Sequence, residues 1–194
     1  RGHDSLTAGR GRAMLDGNSE EPALSQPTSD TCRRLVAETQ AFSAEFAPFM
    51  ANHLPMLLVA LDRMGAPRQR LEAYFEWYRD TNRLGRPAET GEVIHAAGWA
   101  MRFGERGYEG DYRRFCAEEV RRLGAAGAQA TYLPQLIPGI AASALHAMMR
   151  LAYADLERDD AEVAVALGYW ATTFLPLRFA GKSEPITGEP AAIL

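Results

Sequence analysis

Two histidines in apolar runs are the residues of this chain whose types and spacing point to chemistry. His53 follows Asn52, whose side chain can cap a helix, and precedes Pro55, which the first turn of a helix tolerates. His146 lies within the apolar run 143–151. Apolar residues continue the helical face of His53, namely Leu57, Ala60, Leu61 and Met64. Two imidazoles directed inward from separate helices are the raw material of a metal site or an acid–base site.

The same pattern also fits two core histidines whose ring nitrogens have hydrogen-bond partners, because intermediate burial is normal for this residue type. No carboxylate or third histidine stands at ligand spacing beside His53 or His146, and the zinc signature His-Glu-x-x-His is absent. Spacing alone therefore leaves a functional site and a core pair as alternatives.

Composition predicts one soluble globular domain, with 194 residues of which 47% are hydrophobic and 24% charged. The net charge of −4 gives no electrostatic support for nucleic-acid binding. Cys32 and Cys116 form no CxxC pair, which indicates isolated thiols in a reducing compartment. No stretch approaches the roughly 18 to 20 apolar residues that span a bilayer, and the N-terminus lacks an apolar signal region. We therefore expect a cytoplasmic protein with no membrane partner.

The elements that must position the histidines are helices. We expect residues 1–30 to form a disordered arm, residues 31–180 a helical domain and residues 181–194 an irregular tail. His3 lies in the arm and is discounted as a ligand. No window alternates apolar and polar residues for long enough to predict a strand. The predicted fold class is all-α, a bundle of about six to seven helices.

Apolar periodicity places helices at residues 31–46, 140–156 and 160–175, among others. Glycines and prolines within residues 127–139 predict an irregular connection there. The last helix is expected to bury one stripe, made of Val163, Leu167, Trp170 and Phe174.

Four segments, taken in order along residues 42–177, resemble the questin oxidase-like family of helical oxidoreductases linked to anthraquinone-type polyketides. The first is Asn52-His53-Leu54-Pro55-Met56 leading into residues 60–66, and the second combines Trp99, Phe103-Gly104, Tyr108 and Tyr112. The third is Tyr132-Leu133-Pro134-Gln135-Leu136, and the fourth is Ala144-Leu145-His146 leading into residues 150–154, before Val163-Ala164 and Tyr169-Trp170-Ala171.

The resemblance implies oxygen-dependent secondary metabolism, either oxidative ring cleavage or Baeyer–Villiger-type monooxygenase chemistry on an aromatic or quinone ring. It also implies a histidine-bound non-haem iron, and His53 and His146 occupy the matching positions. His95, which is not a matching position, is a further candidate metal ligand. The resemblance does not decide whether NADPH is needed as a reductant. Family members are usually longer, so this chain looks like a shortened member.

Two ligands are too few for a tight mononuclear site, so we expect a homodimer, weak metal affinity, or both. Tyr153 shares the helical face of His146 and is a candidate to hydrogen-bond a substrate oxygen. Arg150, one turn after His146, is either a solvated arginine or an anchor for an acidic or phenolate group, and solvation is the safer reading. Other aromatic side chains either line a flat pocket or form ordinary core: Tyr74, Trp77, Tyr78, Trp99, Tyr169 and Trp170.

Two functional hypotheses remain. The first is a non-haem, metal-dependent oxidoreductase acting on a small aromatic or polyketide-like substrate. The second is a shortened, non-catalytic helical module that binds an apolar ligand or another copy of itself. A flavin or nicotinamide fold is disfavoured because no Gly-x-Gly-x-x-Gly follows a strand, and a hydrolase because Gly-x-Ser-x-Gly is absent.

Overall fold

The computed structural model of the chain describes residues 27–177, which are mostly helical, and the predicted all-α bundle is confirmed. Most of the expected arm, residues 1–30, and all of the expected tail, residues 181–194, lie outside the described residues. The elements are α1 (Asp30–Thr39), β1 (Glu45–Phe46), β2 (Met50–Ala51), α2 (Leu54–Arg63), α3 (Arg68–Thr81), α4 (Glu109–Leu123), α5 (Ala125–Leu136), α6 (His146–Glu157) and α7 (Asp160–Thr173), with short 3₁₀ helices at Ala96–Arg102, Arg106–Tyr108, Ile137–Gly139 and Ala142–Leu145.

Helix α1 ends at Thr39, so the helix predicted for residues 31–46 is too long. The helix ends early because the residues that follow it form tertiary hydrogen bonds with α4. The Ser43 hydroxyl and the Ala44 N–H donate to the carboxylate of Glu109 at 2.5 and 2.7 Å, which replaces the helical hydrogen bonds of this segment. The chain then forms the antiparallel hairpin of β1 and β2.

Helix α7 is buried on every side, not along one stripe as predicted. All residues from Glu162 to Thr173 are buried, and Phe174 lies just beyond the last turn. Helices α4, α5 and α6 all pack against α7. A Cβ at Gly168 would lie 3.1 Å from the backbone nitrogen of Arg113, so this glycine permits the close approach of α4. An enclosed helix has no polar face, and a stripe therefore underestimates its burial.

The segment between α4 and α6 differs from the prediction in two ways: it contains an additional helix, and the following helix begins later than expected. Residues 125–136 form helix α5, although an irregular connection was expected there. Pro134 lies inside this helix near its C-terminal end and removes one backbone hydrogen bond from it. The helix predicted for residues 140–156 begins only at His146, because the preceding three residues are left-handed.

The core consists of two clusters of buried residues. We call α1–α3 the first half; its cluster comprises Cys32, Leu35, Val36, Leu54, Leu58, Val59, Leu71, Phe75 and Tyr78. We call α4–α7 the second half; its larger cluster includes Trp99, Tyr112, Phe115, Cys116, Tyr132, Leu151, Val163, Leu167, Tyr169 and Trp170. The aromatic residues Trp99, Tyr169 and Trp170 are thus core residues. Within residues 27–177, no helix has the length and apolar character needed to cross a bilayer.

Candidate functional site

His53 and His146 lie close together in the structure. Their ring centroids are 4.6 Å apart, and the two rings are nearly perpendicular at 85°. Both side chains are half-buried. The two imidazoles come from different halves, because His53 immediately precedes α2 and His146 begins α6. They are therefore brought together only by tertiary packing.

A buried amide fixes the start of α2 and hence the place of His53. The Asn52 Oδ1 accepts a hydrogen bond from the Leu54 N–H at 3.1 Å, but the N-cap of α2 is His53, so the capping residue lies one position later than predicted. The Asn52 Nδ2 donates to the Ser43 carbonyl at 2.9 Å. The His53 N–H donates to the Tyr78 hydroxyl of α3 at 3.1 Å. The backbone of His53 is thus held by three segments of the first half.

The backbone before His146 is strained. Ser143, Ala144 and Leu145 have φ angles of 44°, 52° and 70°, in the left-handed region that side-chain-bearing residues avoid. This turn brings the Ser143 carbonyl to 2.5 Å from the His146 Nδ1. A carbonyl oxygen only accepts, so Nδ1 carries the proton and the lone pair of a neutral ring lies on Nε2. The turn therefore fixes both the position and the tautomer of His146.

The environment of His53 favours its neutral form. Burial lowers the pKa of the imidazole below its ordinary value of 6.5, and the neighbouring His146 lowers the pKa further. A hydrogen bond with the backbone of Ala51 acts in the opposite direction but is the weakest of the three effects. The lowered pKa favours the neutral imidazole of His53, which has one ring nitrogen that can accept a proton.

A cavity of about 550 Å³ opens beside the two imidazoles, and we call it the histidine cavity. The Arg106 Nε donates to the Glu45 Oε2 at 2.6 Å on its wall, and the Arg106 guanidinium stacks 4.7 Å from the centre of the Phe49 ring. The Ser143 hydroxyl donates to Glu45 at 2.7 Å and accepts from Tyr169 at 2.6 Å. Burial raises the pKa of the Tyr169 hydroxyl, so that hydroxyl stays protonated as the donor.

The described residues do not complete a metal site. Among residues 27–177, no group of three or more histidine, cysteine or acidic side chains is arranged to hold a metal ion. Glu45 lines the histidine cavity, but its carboxylate is engaged by Arg106 and Ser143. His95 is exposed, precedes the 3₁₀ helix Ala96–Arg102 and does not line this cavity. Metal ligation by His53, His146 and His95 stays a prediction.

Arg150 and Tyr153 line a different cavity, so the helical face they share with His146 does not bring them to the histidine pair. The expectation that Arg150 is solvated is wrong, because its side chain is 1% exposed and pairs with Glu162. The positive charge of Arg150 is neutralised by Glu162 of α7. Helical spacing within α6 cannot reveal a partner that lies on another helix.

The sequence gives no signal for three residues of the histidine cavity, Glu45, Arg106 and Ser143. Its periodicity predicts one helix over residues 31–46, whereas a hairpin places Glu45 at the cavity. The positive φ angles around Ser143 carry no sequence signal, because none of these residues is a glycine. Of the aromatic residues expected to line a pocket, none lines the histidine cavity, whose rings are Phe49 and Phe174.

Comparison with protein families gives one match that covers most of the described chain. The family model described as questin oxidase-like matches residues 50–185, which include both histidines of the pair. No curated protein and no solved structure matches the chain.

Proposed function

The chain belongs to the questin oxidase-like family, and from this premise we propose that it is an oxidoreductase that oxidises an aromatic or quinone substrate of polyketide type with O₂. The observation that carries the proposal is the pairing of His53 and His146 at 4.6 Å beside a cavity of about 550 Å³. A cavity of this size admits a fused-ring ligand. The apolar lining residues Phe49, Met50, Phe174 and Leu175 suit an aromatic face.

The two imidazoles support proton removal from a phenolic substrate. In the neutral form of His146, Nε2 carries a lone pair, because the Nδ1–H is held by the Ser143 carbonyl. A phenolate is more electron-rich than a phenol and reacts more readily with O₂. Arg106 lines the same cavity and pairs with Glu45, and because its guanidinium is partly exposed it can also donate a hydrogen bond to a substrate oxygen.

Two oxidations are compatible with this arrangement, and they differ in their electron balance. Ring cleavage that places both atoms of O₂ in the product needs no reductant. Baeyer–Villiger insertion places one oxygen atom in the product, consumes two electrons and two protons, and releases water. The second reaction therefore needs a reductant such as NADPH.

Non-haem iron belongs to the proposal as a cofactor that would activate O₂. Imidazole is a good iron ligand, and His53 and His146 supply two donors. Such a site needs roughly three or more protein donors, so the described residues alone do not fit it. A second copy of the chain would supply the missing donors in a homodimer. A cytoplasmic location is also proposed, supported by two unpaired buried cysteines.

A second candidate is a non-catalytic helical module that binds an apolar ligand or a second copy of itself. The exposed apolar rim of the histidine cavity favours it, because Phe49, Met50 and Leu175 are 70%, 55% and 57% exposed. Apolar side chains grouped in this way are typical of a surface that is covered in function.

The test is O₂ uptake with a hydroxyanthraquinone probe, with and without Fe(II) and NADPH. We expect uptake to fall by about 100-fold or more in His53→Ala and in His146→Ala. The matched control is His95→Ala, which should keep full activity because His95 is exposed and outside the cavity. Metal content and solution mass are measured on the same samples. Probe binding without O₂ uptake under any of these conditions would reject the oxidoreductase in favour of the module.

A further inference from the structure

A second cavity, of about 440 Å³, lies between the two halves and shares no lining residue with the histidine cavity. We call it the Arg150 cavity. Its apolar wall comes from both halves and consists of Val36, Pro55, Met56, Val59, Ala154 and Ala161, with Tyr153 beside them. No hydrogen bond joins the Tyr153 hydroxyl to another described residue.

The lining includes a buried guanidinium with one unused donor. Arg150 is 1% exposed, and its Nε and Nη2 donate to Glu162 at 3.0 and 3.2 Å. The remaining nitrogen, Nη1, is buried, and no atom of the described residues accepts a hydrogen bond from it. A buried donor without an acceptor is costly, whereas one that meets a ligand oxygen contributes to binding.

The charges that line the Arg150 cavity determine whether a neutral or an anionic oxygen can bind Nη1. Arg150 is already neutralised by Glu162, so an anion would bring an uncompensated charge into a buried place. The cavity lining also carries more carboxylates than guanidinium groups, with Glu157, Asp159, Asp160 and Glu162 against Arg33, Arg150 and Arg158. A neutral carbonyl or hydroxyl oxygen satisfies Nη1 without either penalty.

We propose that the Arg150 cavity is a second binding site, which takes a neutral, ring-sized apolar molecule whose carbonyl or hydroxyl oxygen accepts a hydrogen bond from Arg150 Nη1. The proposal does not rest on the chemistry proposed at the histidine cavity.

The test is a titration of the full chain with three matched probes, followed by the amide signals in two-dimensional NMR. The probes are 1-tetralone, its hydrocarbon counterpart tetralin, and the anion 1-naphthoate. We expect 1-tetralone to shift the amides of Val59 and Ala154 saturably. Tetralin and 1-naphthoate should bind about tenfold more weakly or worse, because they lack a neutral acceptor.

Two sets of variants locate the site and the donor. Ala161→Trp fills the cavity from its rim and should abolish 1-tetralone binding, whereas the matched control Ala152→Trp, at an exposed position of α6, should not. The double variant Arg150→Met with Glu162→Leu leaves neither charge unpaired and should bind 1-tetralone and tetralin equally. Replacing both His53 and His146 by alanine should leave 1-tetralone binding unchanged, which separates this proposal from the oxidoreductase.

Several results would overturn the proposal. Equal binding of tetralin and 1-tetralone to the natural chain would show an apolar cavity with no role for Nη1. Tighter binding of 1-naphthoate would show an anion site. Absence of saturable shifts at Val59 and Ala154 with any probe would show that the cavity binds none of them.

Discussion

Apolar packing stabilises each half of the molecule internally, and several polar contacts join the two halves. The cluster of the second half comprises twenty buried residues, one of which is Ala44 from the segment between α1 and α2, and the cluster of the first half comprises nine. Between the halves, Arg113 of α4 donates to the Gln40 carbonyl at 2.9 Å. Arg63 of α2 pairs with Glu157 of α6 at 2.7 Å. Apolar burial thus stabilises each half, and directional bonds fix how the halves meet.

The difference explains where the cavities lie. The histidine pair takes one ring from each half, and the Arg150 cavity is walled by α2 on one side and α6 on the other. The interior of a close-packed cluster has no room for a ligand, whereas the boundary between two clusters can contain a cavity. The geometry of both sites therefore depends on the contacts between the halves more than on either core.

The largest expected effect comes from breaking a buried contact between the halves. Glu109 is 6% exposed, and its carboxylate accepts from Ser43, Ala44 and Arg113. Glu109→Ala removes the acceptor of Ser43 and Ala44 in the first half and leaves the Arg113 guanidinium without its buried acid, so we expect the free energy of unfolding to fall by about 3–5 kcal/mol. Urea unfolding followed by circular dichroism measures the loss.

The matched control is Glu89→Ala, which removes an exposed glutamate paired with Arg114. We expect that change to cost less than about 1 kcal/mol, because solvent screens exposed ion pairs. Equal losses in the two variants would show that the contact between the halves carries no special weight.

Each half contains one free, buried cysteine, which reports separately on its opening. Burial raises the pKa of both thiols, that of Cys32 to about 12, so neither reacts until its cluster opens. We expect Cys32, studied in Cys116→Ala, to react with a thiol reagent about tenfold faster than Cys116, studied in Cys32→Ala. The reason is the smaller cluster around Cys32. Equal rates would show that the two halves open as one unit.

The sequence predicts the helices and the histidine pair but not the surroundings of the pair. Local periodicity is enough to identify α2 and the inward face of His53, because helical spacing is a property of neighbouring residues. Glu45 reaches the histidine cavity through a hairpin that exists because Glu109, some sixty residues later, bonds its preceding loop. Arg150 is buried because Glu162 neutralises it. Both facts depend on long-range pairing, which a single sequence does not display.

A substitution in the strained turn before His146 is expected to stabilise the protein, by a smaller amount than the changes above. Ala144 is exposed with φ of 52°, a conformation that glycine adopts without strain. We expect Ala144→Gly to stabilise the protein by about 0.5–1 kcal/mol. The same replacement at Ala152, an exposed position inside α6, should destabilise it by about 0.5–1 kcal/mol. Denaturant unfolding of both variants measures the two changes, and destabilisation by Ala144→Gly as well as by Ala152→Gly would mean that the turn stores no strain.

The smallest effect concerns pH and contrasts one carboxylate from each half. Hydrogen bonds from Arg122 and then Tyr132 lower the pKa of Glu119 in the second half, and the hydrogen bond from Arg79 lowers the pKa of Asp80 in the first half. A carboxyl whose pKa is lower in the folded state stabilises the protein fully above its ordinary value. That stability is lost as the pH falls through the folded-state value.

Glu119 is buried and holds α4 to α5 through the Tyr132 hydroxyl at 2.5 Å, whereas Asp80 is exposed and screened by water. Between about pH 3 and pH 6, we therefore expect Glu119→Gln to weaken the pH dependence of the free energy of unfolding and Asp80→Asn to leave it nearly unchanged. If Asp80→Asn flattened that dependence as much as Glu119→Gln, the surface of the first half would contribute as much to acid stability as the buried contact in the second.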